Sequence, residues 1–236
     1  MKNLIVASTS TLHESGYLEY LLSDLQKLFE GCDEILFVPY ARPSGITHAE
    51  YTAKVAGAFQ KIDKKVKGIH DFDNPETAIK GASGIFIGGG NTFLLVSQLY
   101  KFGLIDVLKT VVERGTPYLG CSAGSNITGQ TMQTTNDMPI IYPPSFDTLG
   151  FLPFNLNPHY LDPDPNSTHM GETRETRIKE YHAFNQTPVI GLREGSWLRV
   201  IGDQILLQGK LTARVFRSGE SASEVDPGSD LSNIQA

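Results

Sequence analysis

The stretch YLGCSAGSNITGQ, Tyr118–Gln130, decides how this chain is read. It begins as an apolar strand, turns through small residues and continues as a helix start. Gly120-Cys121-Ser122-Ala123-Gly124 fits the pattern G-x-S-x-G. In that pattern the flanking glycines let strand and helix approach closely, and the central residue sits exposed on a strained turn. Cys121, Ser122 and Ser125 are all candidate nucleophiles. With Ser122 at the centre both flanks are glycine. With Cys121 at the centre they become Leu119 and Ala123, and Ser125 falls inside the helix. The pattern is short, and a small-residue turn that only packs a helix on a sheet satisfies it too.

Outward from that junction, the first half of the chain alternates. Short apolar runs (NLIVAS, EILFVPY, KVKGIH, GIFIGGG, PYLGC) are separated by helical patterns (YLEYLLSDLQKLF, AEYTAKVAGAFQKI, NPETAIKG), and the pattern from Asn91 to Gly115 is broken at Gly103. Strands that are apolar throughout and alternate with amphipathic helices predict a mostly parallel central sheet, flanked by helices on both faces. Sites in such α/β sheets form at the carboxyl ends of the strands. Both Gly-rich stretches, IFIGGGN and YLGCSAGSN, fall at such ends.

The second half reads differently. Residues 131–165 are rich in Pro, Asn, Asp and Thr, yet hold enough aromatic and apolar residues to predict an ordered, functional loop. TRETRIKEYHAF reads as a helix. VIGLREGSWLRVIGDQILLQG reads as antiparallel strands near the C-terminus, turning at Glu194-Gly195 and Gly202-Asp203. Residues 1–217 are expected to form one α/β domain, and the polar tail, 218–236, is expected to fray.

Composition narrows the function classes. A net charge of −6 argues against a nucleic-acid partner, and no apolar run reaches membrane-spanning length. The two cysteines, Cys32 and Cys121, form no CxxC or Cys/His cluster, so no metal is expected, and reduced thiols predict a cytoplasmic protein. GGGNTF, Gly88–Phe93, lacks the lysine of a phosphate-binding loop. It reads as a tight turn or as a second donor to an oxyanion.

Of the six histidines (His13, His48, His70, His159, His169, His182), His159 in FNLNPHYLD ends an apolar run inside the long loop. As a base for Ser122 it competes with a structural or solvated role. Asp137 in TTNDMPI, Asp147 and Glu194 in GLREGSW are the candidate acids. The order serine, acid, histidine is satisfied by Asp137 or Asp147 followed by His159. Glu194 could equally be a solvated hairpin carboxylate, and Asp137 a turn residue before Pro139.

GGGNTF, GCSAGSN, TTNDMPI, NLNPHY, GETRETRI and GLREG, in this order, resemble the peptidase E family of α-aspartyl dipeptidases. The resemblance spans all but the polar tail. It implies a fold similar to class I glutamine amidotransferases and a cofactor-free serine peptidase acting on small peptides with N-terminal aspartate. It further implies Ser122 as nucleophile, His159 as general base and Glu194 as the residue orienting the imidazole, with Asp137 as second choice for that acid. Gly90 and Ala123 would supply the oxyanion amides, and Arg174 and Asn91 would bind substrate. Thr176 departs from the glutamine usual after GETRE but leaves Arg174 in place. An amidase or esterase of other specificity would need Ser122 and His159 but not Arg174, and a non-catalytic anion binder would need only the Gly-rich turns. Monomer and homodimer both remain open.

Overall fold

A computed structural model describes residues 1–234 except 165, 167 and 169. Its frame is a seven-stranded sheet in the order β3-β2-β4-β5-β1-β8-β9. The strands are β1 (Asn3–Ala7), β2 (Glu34–Val38), β3 (Lys65–Gly68), β4 (Ile85–Ile87), β5 (Tyr118–Cys121), β8 (Ser196–Ile201) and β9 (Gln204–Gly209). The first five run parallel, and β8 and β9 are antiparallel. The expected class is therefore observed: a mostly parallel sheet flanked by helices, with antiparallel strands near the C-terminus.

Local chemistry sets the helix starts. Thr47 and Glu50 form a reciprocal capping box before α2 (His48–Phe59), worth about 1 kcal/mol. Asn91 caps α4 (Thr92–Lys101). The break foreseen at Gly103 separates α4 from α5 (Ile105–Arg114), and Gly103 takes a positive φ of 64° there. One core lies between the sheet and α1 (Leu22–Leu28) and α2, and holds Ile5, Phe37, Phe86 and Cys121. The other lies under α3 (Pro75–Gly81), α4 and α5.

A second sheet was not foreseen. Its order is β11-β10-β7-β6, from β6 (Asn155–Pro158), β7 (Val189–Leu192), β10 (Ala213–Phe216) and β11 (Ser223–Val225). Leu156, Ile190 and Val215 join the core under α4 and α5. The predicted hairpin at Glu194-Gly195 is thereby corrected. β7 belongs to the second sheet and β8 to the first, so this turn carries the chain from one sheet to the other. The turn at Gly202-Asp203 does join a hairpin, β8 to β9.

The tail does not fray over its described part. β11 pairs with β10, Asp230 bridges Leu206, and Leu231 and Ile234 are buried. Two apolar side chains in a polar segment are enough to anchor it, because each buried leucine or isoleucine side chain contributes roughly 1.5–3 kcal/mol.

Candidate active site

β5 delivers Cys121 into the core under α1 and α2 and then turns at Ser122. From Tyr118 to Gly129 every residue is buried except Ser122. Its backbone holds φ 56° and ψ −112°, a conformation that costs a non-glycine residue roughly 1–3 kcal/mol. The flanking glycines are sterically required. A Cβ on Gly124 would lie 2.1 Å from the Ile87 carbonyl oxygen, and one on Gly120 would lie 2.4 Å from that of Gly124. The two rival nucleophiles are occupied elsewhere. Cys121 is fully buried, and burial pushes its thiol far above the ordinary range. Ser125 Oγ sits 2.6 Å from the Ala7 carbonyl and 2.8 Å from that of Gly120.

His159 follows β6 and also holds a positive φ, 55°. Its Nε2 is 2.8 Å from Ser122 Oγ, and its Nδ1 is 2.6 Å from Glu194 Oε1. Strand pairing explains how residues so distant in sequence meet. β6 and β7 are parallel neighbours, with Pro158 opposite Leu192, so His159 and Glu194 leave adjacent strand ends. β1 and β5 are likewise parallel, with Ala7 opposite Cys121. Ser8, just past β1, is fully buried and ties the two sheets together. Its hydroxyl donates to the Leu192 carbonyl at 2.7 Å and accepts from the His159 amide at 2.8 Å. Sequence reading passed over Ser8, whose only signal is a hydroxyl ending an otherwise apolar strand.

The other candidates fall in several places. Asp137 does not meet the imidazole. Its Oδ2 accepts from the Thr92 amide at 2.7 Å, the Thr92 hydroxyl at 2.6 Å and the Thr135 hydroxyl at 3.1 Å. Asp147 accepts from Ser145 at 3.0 Å. Asn91 uses Oδ1 to cap α4 and donates Nδ2 to the Met138 carbonyl at 2.9 Å. Gly90 and Ala123 have amides that donate to no protein acceptor among the described residues. A Cβ on Gly89 would lie 2.9 Å from that of Ser122, so the GGG turn packs directly on the serine.

Arg174 begins α7 (Arg174–His182), behind the N-cap Thr173. Burial lowers its pKa, and the positive charge of Arg177 adds to that, while Glu194 and Asp137 oppose it. Arg174, His159 and Glu194 line one cavity of about 380 Å³. A larger cavity of about 640 Å³ opens past β2 and β3, beside Tyr40, His48, His70 and Phe102, and none of Ser122, His159, Glu194 or Arg174 lines it. Arg42 lines the larger cavity beside the two histidines, and the smaller one is the cavity that borders the His159–Glu194 contact and the Arg174 cation. His13 is exposed, His182 lies beside the Asn185 carbonyl, and His169 falls outside the described residues. Among the described residues no group of three or more His, Cys, Asp or Glu is placed to hold a metal, and no helix is long and apolar enough to cross a membrane.

The residue preceding Glu194 is heavily bonded. Arg193 donates Nε and Nη2 to Asp162, both at 2.8 Å, and Nη1 and Nη2 to Glu224 at 2.9 and 3.0 Å. Arg214 joins Glu224 at 3.1 Å to Glu175 at 2.8 Å.

The sequence pattern of Peptidase family S51 matches residues 4–208. A Streptomyces coelicolor protein named Peptidase E is 49% identical over 232 residues, covering 98% of this chain and 94% of that one. A Drosophila melanogaster protein named Probable alpha-aspartyl dipeptidase is 45% identical over 233 residues, covering 98% and 96%. The crystal structure of a peptidase from an acI-B1 Actinobacterium superposes with a TM-score of 0.69 at 18% identity, covering 98% of this chain and 96% of that one, and so shares the fold.

Proposed function

The chain belongs to peptidase family S51, and on that premise we propose that it is a serine-type dipeptidase that hydrolyses Asp-Xaa through Ser122, His159 and Glu194. The observation that carries the reading is the continuous pair of contacts from Ser122 Oγ to His159 Nε2 and from His159 Nδ1 to Glu194.

Ser122 Oγ attacks the peptide carbonyl as His159 Nε2 takes its proton. Glu194 accepts from Nδ1–H, which fixes the tautomer and stabilises the imidazolium. The oxyanion is met by the amides of Gly90 and Ala123. The imidazolium then protonates the leaving amine, and water activated by the same base releases aspartate from the acyl-enzyme. The half-buried guanidinium of Arg174 takes the substrate's side-chain carboxylate, where a planar fork is a better match than a point charge. Asn91 keeps one amide hydrogen for substrate, since its other donor and its oxygen are used within the protein. Two buried, unpaired cysteines fit a reducing cytoplasmic setting.

The test is hydrolysis of Asp-Leu beside Glu-Leu and Ala-Leu. Cleavage of Asp-Leu alone supports the reading. Comparable cleavage of Ala-Leu overturns the specificity and leaves an amidase of broader range, and no cleavage of any peptide or ester overturns the enzyme.

A further inference from the structure

We propose that Arg193 is a positioning residue for the His159–Glu194 pair, anchored by Glu224 from the last strand. The inference rests on the reading of Ser122, His159 and Glu194 as the reacting set.

His159 and Glu194 lie beyond the ends of their strands, because β6 stops at Pro158 and β7 at Leu192. Backbone hydrogen bonds still hold the His159 side, through Ser8 and through the Tyr160 amide on the Leu192 carbonyl at 3.1 Å, but these contacts do not reach the Glu194 side chain. The His159 and Glu194 side chains are 35% and 53% exposed, so close packing does not enforce the contact between them either. A brace is needed, and the Arg193 side chain spans both tips. It departs from the residue covalently joined to Glu194. Its Nε–Nη2 fork grips Asp162, three positions after His159, and its guanidinium lies over the ring of Tyr160, the next residue after His159. The opposite edge of the guanidinium is fixed by Glu224 in β11 and by the Thr212 carbonyl at 2.9 Å.

Arg193 is only 15% exposed, although its carboxylate partners are 49% and 40% exposed. Partly exposed ion pairs contribute little to global stability. The value of this one lies in geometry, since a displacement of about 1 Å at a reacting group can lower turnover by up to roughly 100-fold. The brace also gives the C-terminal segment a task in catalysis through Glu224.

The experiment compares Arg193→Ala, Arg193→Lys and Glu224→Gln with the parent chain. The readouts are kcat and KM on an Asp-Xaa dipeptide, melting temperature, and the rate at which an aryl sulfonyl fluoride labels Ser122. Arg193→Ala should lower kcat about 10- to 100-fold with KM changed by less than about 3-fold, and should slow labelling in parallel. Arg193→Lys keeps the charge but loses the fork, and should recover part of kcat. Glu224→Gln should fall between Arg193→Lys and the parent. Unchanged kcat and labelling with a lowered melting temperature overturns the brace and leaves a structural ion cluster. If Arg193→Ala does not fold, the lysine and glutamine variants decide the question by the same readouts. If the parent cleaves no Asp-Xaa peptide, the proposed function fails by itself. The labelling rate then still decides the brace: a drop of about ten-fold upholds it and an unchanged rate overturns it.

Discussion

Glu194 Oε1 lies 2.6 Å from His159 Nδ1, although 35 residues separate them in sequence. Asp137, the rival acid, is bonded instead to Thr92 and Thr135. Glu194→Gln should therefore lower kcat by roughly 10²–10⁴-fold with the fold intact, because the amide can favour the wrong imidazole tautomer. Asp137→Asn should cost about 1–2 kcal/mol of stability, since the Thr92 amide and hydroxyl at the start of α4 and the Thr135 hydroxyl lose their charged acceptor, and should change kcat by less than about ten-fold. Denaturant titration and steady-state kinetics on both variants check this, and the opposite ranking would return the acid to Asp137.

Ser122 carries backbone strain as well as the proposed reacting hydroxyl. Ser122→Ala should reduce turnover by roughly 10³-fold or more. Ser122→Gly should be equally inactive yet melt a few degrees higher, because glycine takes the positive φ without penalty. Calorimetry of the two variants measures that difference, and equal melting temperatures would mean that the elbow stores no strain.

Both thiols are buried, and burial raises the pKa of each. Iodoacetamide at mildly alkaline pH should leave the native enzyme active. Cys121→Ala should keep most of kcat while costing about 1–2 kcal/mol for the small void. Complete loss of activity in a normally folded Cys121→Ala variant, with rapid inactivation of the parent by the alkylating agent, would move the nucleophile to the thiol.

Arg174→Lys preserves charge but not the fork, and should weaken Asp-Xaa hydrolysis by about 1–3 kcal/mol, read as kcat/KM. An unchanged kcat/KM would remove Arg174 from the substrate.

Glu224 is held down at about 2, first by its hydrogen bonds to Arg193 and further by Thr212 and Arg214, against an ordinary value of 4.5. Its folded value lies below its unfolded value. Its stabilisation is thus present above 4.5 and disappears as pH falls from there toward about 2. Melting temperature should fall through that window, and Glu224→Gln should show a shallower acid slope. The side chain is 40% exposed, so solvent screens part of the effect. Coincident slopes would show that this carboxylate contributes nothing.

The parallel half of the fold was legible because buried strands and amphipathic helices have different periods, and each run of residues carries its own signal. The second sheet was not. Its strands are three or four residues long, and β6 pairs with a strand some thirty residues away, so nothing local records the partner. That same gap made Glu194 look like a hairpin residue. Ser122 was readable because its glycines are sterically required at fixed spacing. The roles of Arg193 and Glu224 were hidden, because charged residues look alike in sequence whether they are solvated or forked onto a partner.

Ser8 is among the first residues of the chain to be synthesised, yet its hydroxyl is matched to a His159 amide made 151 positions later and to a Leu192 carbonyl 184 positions later. A nascent chain thus carries Ser122 long before it has a base to activate it. On the proposed mechanism, peptide hydrolysis starts only when synthesis is nearly finished and the two distant tips close onto that one hydroxyl. Turnover therefore reports completed folding, and a chain halted before β7 is a silent one.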